Sequence, residues 1–98
     1  MQVKCILKGR VNSQAGISER TGNKWRTDSW VVSIPGNYER KICFDVRGEE
    51  RCNEWERFFE GMTDKNTPVL IKFEISAAQY EGRWFNRIEA WDIQTSQW

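Results

Sequence analysis

The sequence predicts an all-β domain with one helix, its five strands curled into a Greek-key barrel and the helix inserted between the third and fourth strands. Three observations lead there. Ile and Val together number fourteen, against six for Leu and Ala, and β-branched side chains fit a pleated, half-buried surface. Several stretches alternate apolar and polar residues, the period of a strand with one face in a core. One stretch between them changes to helical spacing. At 98 residues the chain has room for one core and hence one domain. That domain is placed at residues 1–95, with 96–98 expected to be a disordered tail.

The first strand, Gln2–Val11, sets Val3, Cys5, Leu7 and Val11 on one side and Gln2, Lys4, Lys8 and Arg10 on the other. Gly9 falls on the apolar side, where a missing Cβ suits the bulge or bend of a strand curling round a small barrel. Asn12–Asn23 reads as a polar loop, long enough to carry a role. The second strand, Lys24–Ile34, aligns Trp30, Val32 and Ile34, and Pro35-Gly36-Asn37 turns the chain. In the third, Arg40–Arg47, Ile42, Phe44 and Val46 point one way; Lys41, Cys43, Asp45 and Arg47 point the other.

Over Glu49–Glu60 the period changes. Cys52, Trp55 and Phe59 form one helical stripe with Phe58 beside it, and acids crowd the first turn, where the helix dipole favours them. Gly61 marks the stop. After a loop, Val69–Ser76 alternates again and buries Val69, Ile71, Phe73 and Ile75. A turn around Tyr80-Glu81-Gly82 leads into the fifth strand, Arg83–Gln94. Three strands, a helix and two strands is the plan of the OB-fold, a small partly open Greek-key barrel. An open antiparallel sheet with a helix on one face has the same periodicity. Gly9 and the long, Trp-bearing second and fifth strands favour the curled form. Trp30, Phe44 and Trp55 then belong to the core, and Trp91 with Ile93 closes the barrel.

Several function classes drop out. The chain has no histidine, which removes Ser-His-Asp and Cys-His catalysis and every His-ligated metal site. It also lacks a phosphate-binding glycine loop, a nucleophile elbow and a zincin motif. No enzyme activity, cofactor or metal is expected, and the carboxylates read as solvated surface. Cys5, Cys43 and Cys52 form no C-x-x-C pair and suit reduced, buried thiols of a cytoplasmic protein, with Cys43 under a loop. Met1 leads directly into Gln2-Val3-Lys4 without an apolar leader, and no apolar run approaches a membrane span.

The net charge is +1, too little for an indiscriminate grip on a polyanion. Its distribution says more. Residues 1–48 carry nine Lys/Arg against four Asp/Glu, and residues 49–98 carry six against ten. The acids concentrate at Glu49, Glu50, Glu54, Glu56 and Glu60. If that segment packs away from the N-terminal strands, those strands keep a positive face.

Tyr80-Glu81-Gly82-Arg83-Trp84-Phe85, followed by Glu89-Ala90-Trp91-Asp92-Ile93, resembles the C-terminal signature of an uncharacterised bacterial domain-of-unknown-function family. There a Tyr-Asn-Gly-Arg-Trp turn leads into a strand ending Arg-Ala-Trp. Gly22-Asn23-Lys24-Trp25 with Trp30-Val31-Val32 is similar to its second strand, and Lys41-Ile42-Cys43-Phe44 with Gly48 to its third. The resemblance spans about residues 3–94 and implies an OB-fold related to the bacterial single-stranded-DNA-binding proteins. Glu39 stands where the family usually has Pro. Arg47 stands where it usually has Trp, trading a stacking ring for a cation. The ending Gln94-Thr95-Ser96-Gln97-Trp98 differs from the acidic tail of the replicative single-strand binders.

Binding an unpaired strand takes cations for phosphates and flat rings for bases. OB-folds display both on the outer face of strands 2 and 3 and on the loops joining strands 1–2 and 4–5. Trp25 has the opposite parity to Trp30 and so faces outward, flanked by Lys24 and Arg26. Lys41 and Arg47 lie on the outward face of strand 3; Tyr80, Arg83 and Trp84 occupy or border the 4–5 loop. The expectation is that Trp25, Tyr80 and Trp84 stack bases of single-stranded DNA or RNA, with low sequence specificity. Lys24, Arg26, Lys41, Arg47 and Arg83 would hold its phosphates. Packing roles for Trp25 and Trp84 stay open, and Arg87 reads as an ordinary surface cation. Two or three stacked bases and a few phosphates give about micromolar affinity. The rival is a protein-interaction or self-assembly module using the same open face. The near-zero charge supports it, and Ile6 and Val31 on otherwise polar faces hint at a homodimer.

Overall fold

Five strands close on themselves in the order β1-β2-β3-β5-β4: β1 Gln2–Ile17, β2 Lys24–Ile34, β3 Arg40–Arg47, β4 Val69–Tyr80 and β5 Arg83–Thr95, with helix α1 Glu49–Gly61 between β3 and β4. The computed structural model describes residues 1–97, so the expectation for Trp98 lies outside the described residues. β1 is antiparallel to both β2 and β4. The ring closes where β3 and β5 run parallel and pair only at Asp45 and Glu89. This is the OB plan read from the sequence.

Alternation built the core as expected. Cys5, Leu7, Trp30, Val32, Phe44, Val46, Val69, Ile71 and Ala90 point inward from the strands and are buried. From α1, Cys52 and Trp55 join them. Trp55 tilts against Trp30 with ring centroids 5.9 Å apart, and Phe59 meets Trp30 edge-on at 5.6 Å. The helix stripe thus stops one end of the barrel, where aromatic pairs add to plain area burial. Burial pushes the Cys5 thiol up to about 12, so it packs as a small hydrophobe. Cys43, expected under a loop, is exposed instead.

The strands outrun the sequence reading at both hairpins. Asn12–Asn23 is not a loop: β1 continues to Ile17, which pairs with Lys24, leaving only residues 18–23 at the tip. Its polar side chains carry no period because both faces are wet, yet backbone pairing needs no apolar residue. β1 slips register between Leu7 and Gly9 and again between Arg10 and Asn12. The first slip is the bulge Gly9 implied. The second turns Val11 outward, 62% exposed, against its expected burial.

The β4–β5 hairpin likewise continues past the barrel to the pair Tyr80–Arg83. Glu81 (φ 50°) and Gly82 (φ 77°) form its two-residue turn, the left-handed geometry that matches strand twist. Apolar packing stops at Phe73 on β4 and at Ile88 on β5, so Ile75 is half exposed where the core was expected to hold it. Trp91 does not close the barrel. Lys72 pairs with Asp92 and Phe73 with Ala90, which makes Trp91 the extra residue and turns it outward beneath the Lys72 ammonium. Ala90 takes the inward place.

One polar cluster interrupts the core. Asp28 on β2 is fully buried. It accepts hydrogen bonds from Arg26 at 2.8 and 3.2 Å and from the Ser13 hydroxyl at 2.5 Å, and Arg10 approaches to 3.4 Å. Arg26 also donates to Asn53 at 2.8 Å, and Glu56 pairs with both arginines. The acidic helix therefore does not pack away from the N-terminal cations; Glu56 reaches across to neutralise two of them. Burial alone would raise the Asp28 carboxyl. The Ser13 and Arg26 hydrogen bonds, with the charges of Arg26 and Arg10, outweigh that and hold it below its ordinary value.

A carboxyl depressed by folding stabilises the native state above its unfolded pKa of about 4 and stops doing so as pH falls through the lower folded value. Urea midpoints should therefore drop steeply below about pH 4. Asp28→Asn should cost about 3 kcal/mol at pH 7, because two guanidinium groups lose their buried counter-charge, and should flatten that acid limb. In the opposite direction, Glu81→Asn, a residue that tolerates the left-handed region, should stabilise the domain by about 0.5 kcal/mol in urea titrations.

Candidate nucleic-acid interface

Side chains of directly paired residues share a face, and successive rungs alternate. On β2 that rule sends Arg26, Asp28 and Trp30 inward and Trp25, Thr27 and Ser29 outward. β3 matches it, since Thr27 pairs with Arg47 and Ser29 with Asp45. From β1, Gln14 faces Thr27 and Asn12 faces Ser29. These outward residues, with Arg87 from β5, line a polar groove of about 320 Å³. On its floor the Ser29 hydroxyl donates to Asp45 at 3.1 Å.

The Trp25 indole lies across Gly16 on the opposing strand, where a Cβ would stand only 3.0 Å from three ring atoms. A bare backbone on β1 thus gives the ring a flat seat and leaves it 46% exposed. Beside it is a second cleft of about 440 Å³, lined by Lys24, Trp25, Arg26, Thr27, Arg47 and Glu89 among others. Arg47 comes within 3.8 Å of Glu89, a contact open to water and worth little.

On the β4–β5 arm the rungs are Tyr80–Arg83, Gln79–Trp84, Ala78–Phe85, Ala77–Asn86 and Ser76–Arg87. Tyr80, Arg83, Phe85 and Arg87 therefore share one face, continuous with the groove through Arg87. Trp84 stands on the opposite face with Ala77 and Ile75.

The expected site residues thus divide. Lys24, Trp25 and Arg47 come together at the second cleft, and Tyr80 with Arg83 extends the same outer surface along the arm. Arg26 touches that cleft, but its guanidinium is engaged by Asp28, Asn53 and Glu56. Those hydrogen bonds push its pKa still higher and make it a structural cation. Lys41 shares the outward face of β3 at its far end, about 20 Å from Arg47 at strand spacing. Trp84 points away from the others. Two residues of the surface were missed: Phe85, half exposed, and Arg87, set aside as an ordinary cation. The signal was available, since a two-residue turn at Glu81-Gly82 places 80, 83, 85 and 87 on one side. Ile6 and Val31 are both half-buried.

Among the described residues no cluster of acids and cysteines could hold a metal ion, and no helix is long and apolar enough to cross a membrane. No curated protein matches the sequence. Among solved structures, a mitochondrial single-stranded DNA binding protein from S. cerevisiae, Rim1, superposes with a TM-score of 0.57. The match covers 99% of this chain and 96% of that one at 12% sequence identity. Likeness at that identity is likeness of fold, and it agrees with the strand order and the helix position. In sequence, residues 6–94 match the model of a domain of unknown function, DUF3127, and the chain belongs to that family.

Proposed function

We propose that this domain is a non-enzymatic binder of single-stranded nucleic acid, DNA in the first instance, along the outer surface from Trp25 to Tyr80. One observation carries the reading. Exposed rings (Trp25, Phe85, Tyr80) alternate with guanidinium groups (Arg47, Arg87, Arg83) on a single continuous face. That is the interleaving an unpaired strand requires, with rings for bases and cations for phosphates. The fold match to a protein whose own description is single-stranded DNA binding lends support. Lys24, which lines the cleft from the Arg26 side of β2, joins Arg47, Arg83 and Arg87 as a fourth cation; Arg26 acts only by holding the β2 backbone under Trp25.

Titrating oligo-dT into the domain should quench tryptophan fluorescence with about micromolar affinity. With four phosphates neutralised, log K should fall against log[salt] with a slope of about −3. Trp25→Ala should weaken binding about tenfold while leaving the thermal midpoint nearly unchanged. An unchanged signal up to high micromolar strand would remove the reading.

A second reading, a protein-interaction module, has its own observation. Ile75, Ala77 and Trp84, with Gln79 and Asn86 beside them, make the other face of the β4–β5 arm uncharged, with Trp84 68% exposed. Trp84→Ala separates the two: it should leave oligo-dT affinity within about twofold, because the ring lies off the strand path. Any self-association seen by light scattering should fall with the same substitution.

A further inference from the structure

Resting on the strand-binding reading, we infer that the groove between Asp45, Arg47 and Arg87 receives one unstacked base and selects guanine. Asp45, with Glu89 opposite it on β5, puts carboxylates among the two guanidinium groups, an unusual floor for a phosphate track. An anion there repels the backbone, and Asp45 is salt-bridged to neither arginine; Ser29 holds it at 3.1 Å and Arg47 leans toward Glu89. Guanine presents both halves of the complement. Its N1–H and 2-amino group donate side by side, matching the two oxygens of a carboxylate. Its O6 and N7 accept side by side, matching the fork of an arginine; opposite guanine Arg87 turns from a phosphate to the base edge, whereas on oligo-dT it stays on the phosphate. Cytosine and adenine offer an amine without the paired donors. Thymine and uracil turn carbonyl oxygens toward the carboxylate and are disfavoured.

The Ser29 bond leaves Asp45 room, since each carboxylate oxygen accepts more than one hydrogen bond. Ser29 fixes the carboxylate rotamer, as a base-reading group needs. The groove volume, about 320 Å³, is at the small end of ligand sites; it suits a base better than a larger ligand. Asn12 and Gln14 at its rim, on the β1 half of the hairpin, supply amides for the sugar or the neighbouring base. Trp25 stands beside the groove on the same face, ready to stack the next base along.

The experiment compares a twelve-residue oligo-dT with the same strand carrying one central dG, dA or deoxyinosine, by fluorescence titration at one salt concentration. One dG should tighten binding about tenfold, the scale of a bidentate base contact, and dA by less than twofold. Deoxyinosine keeps O6, N7 and N1–H but lacks the 2-amino group, so it should lose most of the gain. Asp45→Asn should bring the dG-to-dT affinity ratio to about one, a ratio that does not depend on how well the variant binds overall. Equal affinity for all four strands overturns the guanine assignment and leaves strand binding standing. Binding of none overturns the strand reading itself. Competition by free GMP at micromolar concentration would also overturn the proposal, marking a mononucleotide site in place of a strand subsite.

Discussion

A buried carboxylate organises this domain. Asp28 sits where the barrel wall becomes the free β1–β2 arm, and its hydrogen bonds reach Ser13 on one strand and Arg26 on the other, while the arginines continue the chain of contacts to Glu56 and Asn53 on α1. A lone anion there would cost several kcal/mol; surrounded by donors it becomes a clamp. Because Asp28 must face inward, Trp25, Thr27 and Ser29 must face outward. The register that builds the candidate surface is thus imposed from inside by the buried charge of Asp28.

The same clamp explains why an excess of N-terminal cations does not become a uniformly positive face. Arg10 and Arg26 are neutralised by Asp28 and Glu56, and only the cations beyond the clamp stay available. The outer surface is consequently mixed, with Asp45 and Glu89 among Arg47 and Arg87. A ligand of such a surface would be held by shape, stacking and paired hydrogen bonds more than by long-range attraction, which salt screens over about 10 Å.

The barrel was legible in the sequence because its core obeys period-2 alternation, and β2 and β3 came out with their observed bounds. What escaped were places where that period fails. Bulges at Gly9, near Val11 and at Trp91 each insert a residue and switch the face of the side chains next to them relative to a simple count, although the two on β1 cancel from Asn12 onward. Asn12–Ile17 pairs through its backbone with polar side chains on both faces, a strand without a hydrophobic signature. On the candidate surface, the outward placement of Trp25 and Arg47 followed from parity. Trp84 was misassigned because proximity to the turn was used in place of rung counting, and the same count would have placed Phe85 and Arg87. The role of Arg26 could not be read, since its partners lie 27 and 30 residues away on the helix.

Both hairpins leave the cylinder as two-stranded ribbons, and that has a dynamic consequence. Inside the ring each strand has a neighbour on either side, whereas beyond Ile75 and Ile88 the ribbon has open edges and little apolar cover. Isolated ribbons of this kind are barely stable in water. The molecule is accordingly a stiff hub bearing two pliant fingers, whose amides open to solvent exchange well before those of the hub. A ligand on the proposed surface would first have to quiet them. Part of the contact energy goes into that ordering, so stiffening either ribbon would tighten binding without adding a single contact.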